Sequence, residues 1–329
     1  MSELPYYRPS RMRDQEGLMK NLRKLIRDGR YTKGRLVDEF AAKMSEMTSY
    51  EYVIPVGQGT HAIFLLARWY KELGYDRLVS PAFTWRSTWE PFKWAGFRVQ
   101  FVDIDRETWL PDFEGTTYQY PNLRTVFAPT DTFGSVFPYR DIPPSAATPW
   151  VDSAQSLGAG WDSLQPHRVV SLSGSKPLTS GEGGFLLTQD RRLYEFAKEQ
   201  AHWFSRMNEL EAALGLAYLG QFYDDLQRRI RIEGAYKERF RPPRFRWQEV
   251  PVDTNRYIVA ALVGRRKGFV EANPGVEFRR YYAPVVSEKD RPGDEFPTWL
   301  PNTRRVASRI VAFPAWPDLP LKRIKEMRE

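Results

Sequence analysis

The run Ser171-Leu172-Ser173-Gly174-Ser175-Lys176-Pro177-Leu178-Thr179-Ser180-Gly181-Glu182-Gly183-Gly184 decides how this chain is read. A single lysine follows small hydroxyl residues and precedes a glycine-rich turn. A lysine amine condenses with a carbonyl only when it is unprotonated and held still, so a reactive lysine belongs in a tight pocket that lowers its pKa. Ser171, Ser173 and Ser175 supply hydroxyls beside it, and the glycines let backbone approach a ligand closely. A lysine in a Gly/Ser loop is also an ordinary surface feature, so its company has to decide.

That company lies upstream. Pro149-Trp-Val-Asp152-Ser-Ala-Gln155-Ser-Leu-Gly158 reads as a short strand ending in an acid, followed by a turn of small residues. An Asp at a strand end opposite a lysine suits pyridoxal phosphate (PLP), because a carboxylate keeps the pyridine nitrogen protonated and the ring an electron sink. Further upstream, Val56-Gly-Gln-Gly59-Thr60-His61-Ala62 opens a helical pattern with Ala62, Leu66, Trp69 and Leu73 on one face. Glycine and threonine at a helix N-terminus offer free amides and a hydroxyl to a phosphate. Each signal is weak alone; their order is more specific.

In that order these residues resemble the DegT/DnrJ/StrS family of PLP-dependent sugar aminotransferases. The likeness extends over Gly29–Gly34, Gly57–Ala62, Pro81–Trp85, Phe101–Asp105, Thr132–Gly134, Asp152–Gln155, Ser171–Gly184, Arg206–Gly215, Tyr281–Pro284 and Val311–Pro314. It implies an α/β chain of the PLP-dependent transferase fold type I, the aspartate-aminotransferase type. The large domain, residues 1–240, would carry a mostly parallel mixed sheet covered by helices. Residues 241–329 would form a smaller α+β domain, with the N-terminal helices able to pack on it.

The resemblance also implies roles. Lys176 would hold the cofactor and then shuttle a proton, general acid–base work for an amine with an adjustable pKa. Asp152 would pair with the pyridine N–H, Gln155 with the ring hydroxyl oxygen, and Trp85 would stack on the ring. Gly59, Thr60 and Ser171 would hold the phosphate, while Tyr31, Thr32 and Tyr281 would serve the substrate side. Three positions depart from the family pattern: Phe204 replaces an Asn that reaches the neighbouring subunit's phosphate, Asp131 replaces a His, and Ser173 replaces another. Arg206 would stand in for that Asn across a homodimer with a shared site. The implied reaction moves an amino group, with L-glutamate the expected donor, to a keto group of a nucleotide-activated sugar. A lysine at 176 argues against the sugar-deoxygenating branch, which has His there.

The rest of the chain bounds these expectations. Its 329 residues suit a large and a small domain, and 42% hydrophobic with 27% charged residues is a globular composition. No cysteine and three histidines argue against disulfides and metal sites. Met1–Arg8 has no apolar signal segment, and the longest apolar run, Ile258–Val263, is too short to cross a bilayer, which makes the cytoplasm the default location. The net charge of +8 is scattered in short runs such as Arg265-Arg-Lys267 and Arg304-Arg305, as on a solvated face, although a funnel for an anionic substrate would look the same. Two other readings fit. One keeps fold and cofactor but acts on a nucleotide or nucleic-acid base, by modification or decarboxylation; the other is a non-catalytic binding relative.

The periodicity predicts helix, turn, helix over residues 12–50, with Leu18, Leu22 and Leu25 on one stripe and Gly29 ending the first. Alternating strands and helices follow to about residue 190, then a helical stretch from Leu193 to Phe240 broken by Arg241-Pro-Pro-Arg244. Strand-like Tyr257–Val263 and a helix near Leu321–Glu329 complete the chain.

Overall fold

The computed structural model describes residues 4–114, 124–142, 149–161, 163–250, 254–282 and 300–329. Ala283 and Pro284 of the Tyr281–Pro284 motif lie outside them, as does much of the stretch between Asp105 and Arg124.

Helices α1 (Gln15–Asp28) and α2 (Arg35–Thr48) form the expected pair, and α1 ends at Gly29 in the left-handed conformation, where glycine has no steric cost. Then come β1 (Tyr52–Val56), α3 (Gly59–Glu72), β2 (Arg77–Pro81), a short 3₁₀ turn at Arg86–Thr88, α4 (Glu90–Trp94) and β3 (Arg98–Val102). Three short buried strands, β4 (Thr125–Phe127), β5 (Trp150–Asp152) and β6 (His167–Ser171), precede β7 (Gly184–Thr188). The helical stretch predicted from Leu193 to Phe240 is three helices, α5 (Arg191–Phe204), α6 (Glu209–Leu219) and α7 (Phe222–Arg239). The break between α5 and α6 is a capping box: Asn208 accepts from the amide of Glu211, whose carboxylate accepts from the amide of Asn208.

Strand pairing gives β1-β7-β6-β5 and β3-β2-β4. The two sets meet where Thr130 and Asp152 bridge in parallel, with Asp131 N donating to Asp152 O and Asp152 N to Pro129 O. The result is one seven-stranded sheet in which β7 alone runs against its neighbours. Its nearly continuous apolar strands are buried on both faces, as a helix-covered parallel sheet requires.

The stripe of α1 and α2 packs on α6 and the sheet, through Leu25, Leu36, Phe40 and Met44 against Val53, Phe185 and Ala213. Among the described residues the contacts of these helices are with α6 and the large sheet, and the segment before them meets the small sheet. Leu4 joins the core under β8 (Phe245–Trp247), β9 (Val259–Val263) and β10 (Ile310–Phe313). That antiparallel sheet is ordered β10-β9-β8. It is accompanied by α8 (Arg266–Ala272), α9 (Pro301–Arg309) and α10 (Leu321–Lys325), and its core includes Ile232, Tyr236 and Phe240 of α7. Among the described residues no helix is long and apolar enough to cross a membrane.

Candidate active site

The carboxyl ends of β1, β5 and β6 converge on one cavity of about 280 Å³. Ligands of open α/β sheets bind at such strand ends. Lys176, Asp152, Gln155, Gly59, Thr60, Ser171, Trp85 and Tyr281 all line it.

The phosphate end is built first by backbone. Gln58 precedes α3 without a side-chain cap and His61 N donates to its carbonyl at 3.0 Å, so among the described residues the amides of Gly59 and Thr60 remain available beside the Thr60 hydroxyl. A Cβ at Gly184 would lie 2.8 Å from Gly59 N and 2.7 Å from Val170 O, so only glycine lets β7 support this turn so closely. Ser171, the last residue of β6, faces the same turn, and a Cβ at Gly59 would come within 3.1 Å of the Ser171 Cβ. Free amides, a glycine cradle and two hydroxyls fit a phosphate.

The lysine loop is tied down rather than loose. Lys176 N donates to Ser173 O at 2.9 Å, Thr179 Oγ1 to Leu172 O at 3.0 Å, and Gly181 N to Thr179 Oγ1 at 2.9 Å. The Lys176 Nζ stands 5.4 Å from the Tyr257 ring centre, and the Tyr257 hydroxyl lies 3.3 Å from Ser175 Oγ. Ser173, at a departing family position, lines the cavity too.

Asp152 closes β5. Thr88 Oγ1 donates to its Oδ2 at 2.6 Å and Ala154 N to its Oδ1 at 3.1 Å. Burial raises its pKa, while the Thr88 hydroxyl, the Ala154 amide and the charge of Lys176 oppose the rise. Gln155 is partly committed: its Oε1 accepts from Phe133 N at 2.7 Å and its Nε2 donates to the Tyr282 hydroxyl at 3.0 Å, which leaves one amide proton for a ligand. Trp85 is half exposed, its ring centre 6.0 Å from Tyr281 and 5.6 Å from Tyr282. Burial pushes the Tyr281 hydroxyl up to about 12, so it is a neutral donor at ordinary pH.

Three expected residues fall elsewhere. Tyr31, Thr32 and Arg206 are exposed and do not line the cavity of the single chain. Tyr31 is nevertheless fixed, because its carbonyl accepts from Glu209 N at 2.9 Å. The buried Glu209 carboxylate in turn accepts from Gly34 N at 3.0 Å and Leu36 N at 2.9 Å, capping α2 from α6. Of the other departures, Phe204 packs against His61 and Phe64, at 5.0 and 5.3 Å between ring centres. Asp131 lines the cavity as well, but its side chain is buried and paired with Arg168 at 3.2 Å.

Several site residues were not singled out by the sequence. Thr88 holds Asp152, and Tyr257, Tyr282 and Arg279 line the wall. Arg279 lies over the Tyr6 ring at 4.9 Å, 3.6 Å from Glu277. Tyr282 stands in the Tyr281–Pro284 motif and Tyr257 opens the strand-like run to Val263, without either being given a role there; Thr88 sits in an unremarkable helix start.

The chain is similar to known proteins along most of its length. The DegT/DnrJ/EryC1/StrS aminotransferase family pattern matches residues 12–329. GDP-perosamine synthase of Escherichia coli O157:H7 is 25% identical over 231 residues, 63% of this chain and 64% of that protein. A UDP-2-acetamido-2-deoxy-3-oxo-D-glucuronate aminotransferase of Pseudomonas aeruginosa is 24% identical over 65% of this chain and 66% of its own length. The chain thus spans just under two thirds of these curated relatives. Among solved structures, Helicobacter pylori PseC, an aminotransferase involved in pseudoaminic acid biosynthesis, superposes with a TM-score of 0.88 at 18% identity, covering 98% of this chain and 96% of that one. A family member from Brucella abortus gives 0.84 at 24% identity, covering 95% and 94%. The fold is therefore that of fold type I, and the chain belongs to the DegT/DnrJ/EryC1/StrS family of PLP-dependent aminotransferases.

Proposed function

We propose that the protein transfers an amino group from L-glutamate to a keto group of a nucleotide-activated sugar, working as a homodimer with a shared site. The observation that carries this reading is the convergence of Lys176, Asp152 and the free amides of α3 on one cavity. The relatives named above, one a GDP-sugar and one a UDP-sugar enzyme, support the substrate class.

Bound PLP would supply an aldehyde for the amino group and a ring that delocalises carbanion charge. The chain supplies position and protons. Gly59, Thr60 and Ser171 would hold the phosphate, Trp85 would cover one ring face, and Gln155 would donate its remaining amide proton to the ring oxygen. Asp152 would accept from the ring N–H, its carboxylate fixed by Thr88 and Ala154. Lys176 would carry the proton between substrate carbon and cofactor, and Tyr281 would donate on the substrate side.

The dimer reading is supported by exposed aromatic surface beside the phosphate end, Trp94, Trp203 and Phe204, and by Tyr31, Thr32 and Arg206 outside the single-chain cavity. We also divide the chain near residue 240 into large and small domains and place the protein in the cytoplasm.

The test is the absorbance spectrum with PLP, before and after L-glutamate, for the wild type and Lys176→Ala. A borohydride-reducible band that glutamate bleaches, absent from Lys176→Ala, is expected. No such band in the wild type overturns the assignment of the cofactor site. A band that glutamate leaves intact overturns the donor.

A further inference from the structure

The small sheet carries a second cavity, which shares no lining residue with the Lys176 site. It has a volume of about 1030 Å³ and runs along the edge strand β8, with Leu262, Val263 and Phe269 among its lining residues. Arginines reach it from separate segments: Arg244 and Arg246 on or beside β8, Arg265 after β9, and Arg305 and Arg309 on α9.

The neighbouring carboxylates do not match this charge. Arg244 pairs with Glu329 at 3.9 Å, and Arg246 shares Glu107 with Arg106, at 3.6 and 3.2 Å. Among the described residues no carboxylate pairs with Arg265, Arg305 or Arg309. Arg305 and Arg309 stand at i and i+4, a like-charge pair that costs helix stability. Burial lowers the pKa of Arg305, and the nearby Arg106, Arg246 and Arg309 lower it further, with only Glu107 opposing. Exposed arginines normally spread into water. Among the described residues that line the groove the five arginines outnumber the two carboxylates, Glu249 and Glu329, so the guanidiniums repel one another, and a multivalent anion would relieve that repulsion.

We propose that this groove binds a phosphate chain, with Arg265, Arg305 and Arg309 as its principal ligands. Guanidinium groups meet phosphate oxygens in pairs of parallel hydrogen bonds, so three of them suit two or more linked phosphates rather than a lone ion. The volume is ample for a nucleotide-sized ligand. The same chemistry is offered by a free oligophosphate and by a nucleic-acid backbone.

The experiment is calorimetric titration of the full chain, preincubated with PLP, using inorganic tripolyphosphate and a single-stranded thymidine 12-mer as separate probes. Saturable binding is expected for at least one. The triple variant Arg265→Gln/Arg305→Gln/Arg309→Gln should weaken it by about tenfold or more. The variant Lys20→Gln/Arg23→Gln/Arg30→Gln removes equal charge from the exposed surface of α1 and its end, and should change it less than about twofold. If the 12-mer binds, its salt dependence should flatten in the groove variant by a log–log slope of about 2, as expected for three lost contacts to a single strand. Tripolyphosphate binding alone supports a free oligophosphate; 12-mer binding that tripolyphosphate does not displace supports a nucleic-acid backbone. No saturable binding at low salt, or equal losses in the two triple variants, overturns the proposal. Thermal unfolding confirms that each variant is folded.

Discussion

Two acid–base pairs lie close together on the large sheet and behave differently. Asp152, Lys176 and Asp131 all line the cavity, but the side chains of Asp131 and its partner Arg168 are fully buried. Burial raises the pKa of both acids. Asp131 answers burial with many donors: Arg168 at 3.2 Å, Ser153 Oγ at 2.8 Å, Ser156 Oγ at 2.5 Å and Phe137 N at 2.9 Å. Asp152 has only Thr88 Oγ1 and Ala154 N. An acid saturated by its own chain is structural, and one left short of donors is able to accept a ligand. The cations differ in kind as well, since a guanidinium stays charged while an amine can lose its proton.

The largest expected effect is on the open pair. Lys176→Ala should cut turnover by about 10²-fold to 10⁴-fold for the proton transfer alone, and more with loss of the cofactor attachment, while the melting temperature stays close to wild type. Steady-state kinetics and thermal unfolding on the same preparation check both halves. The closed pair should reverse that pattern. Arg168 lies over Trp161 at 4.6 Å, and among the described residues its Nε and Nη2 have no hydrogen-bond partner. Asp131→Leu would leave that guanidinium buried and unpaired, at about 3–5 kcal/mol. The double variant Asp131→Leu/Arg168→Met should regain most of this in denaturant unfolding, because an apolar pair tolerates burial. If it does not, the pair's hydrogen bonds to the 153–156 turn hold more than charge.

A smaller effect comes from His167, beside Arg168 on β6. Its Nδ1 meets Thr188 Oγ1 at 2.8 Å, its Nε2 is buried without a partner among the described residues, and burial lowers its pKa to about 4. A base with a depressed folded pKa stays neutral where the unfolded chain takes up a proton. Its contribution is therefore complete above the ordinary histidine pKa of about 6.5 and is lost as pH falls toward 4, by about 3 kcal/mol in all. Unfolding free energies measured across this range should fall more steeply for the wild type than for His167→Asn. Parallel curves would mean that the folded protein accepts the proton at His167.

The open pair was legible in the sequence because its chemistry fixes residue types at strand ends: Lys176 in a glycine-rich loop, Asp152 after a short apolar run, Gly59 and Thr60 at a helix start. The closed pair was not. Asp131 registered only as a departure, since nothing local to residues 131 and 168 says that parallel strands will bring them together. The three helices hidden in 193–240 were missed for the opposite reason, their apolar spacing continuing through breaks at the Asn208 cap and at Gly220–Gln221. Tyr257 and Tyr282 reach the cavity from segments far along the chain, and although Tyr282 stands in the Tyr281–Pro284 motif, nothing local to either residue assigns it a place in the wall.

Thr88 tests the comparison at its narrowest point. It donates to Asp152 at 2.6 Å and lies 2.7 Å from Thr84 Oγ1, so Thr88→Val keeps the shape and removes one of the two donors that fix the open acid. Loss of a hydrogen bond to a buried carboxylate should cost about 2 kcal/mol at neutral pH. The sign with pH follows from the raised pKa of Asp152. The variant raises it further, so its deficit grows as pH rises through the folded pKa and narrows in acid, where the carboxyl is protonated in both proteins. Affinity for PLP, measured by fluorescence quenching, should fall about tenfold with the loosened carboxylate. Ser153→Ala removes one donor from the saturated Asp131 and should leave that affinity within about twofold. Equal losses from the two variants would mean that the closed acid positions the open one, through the strand end where Asp131 N donates to Asp152 O at 3.0 Å.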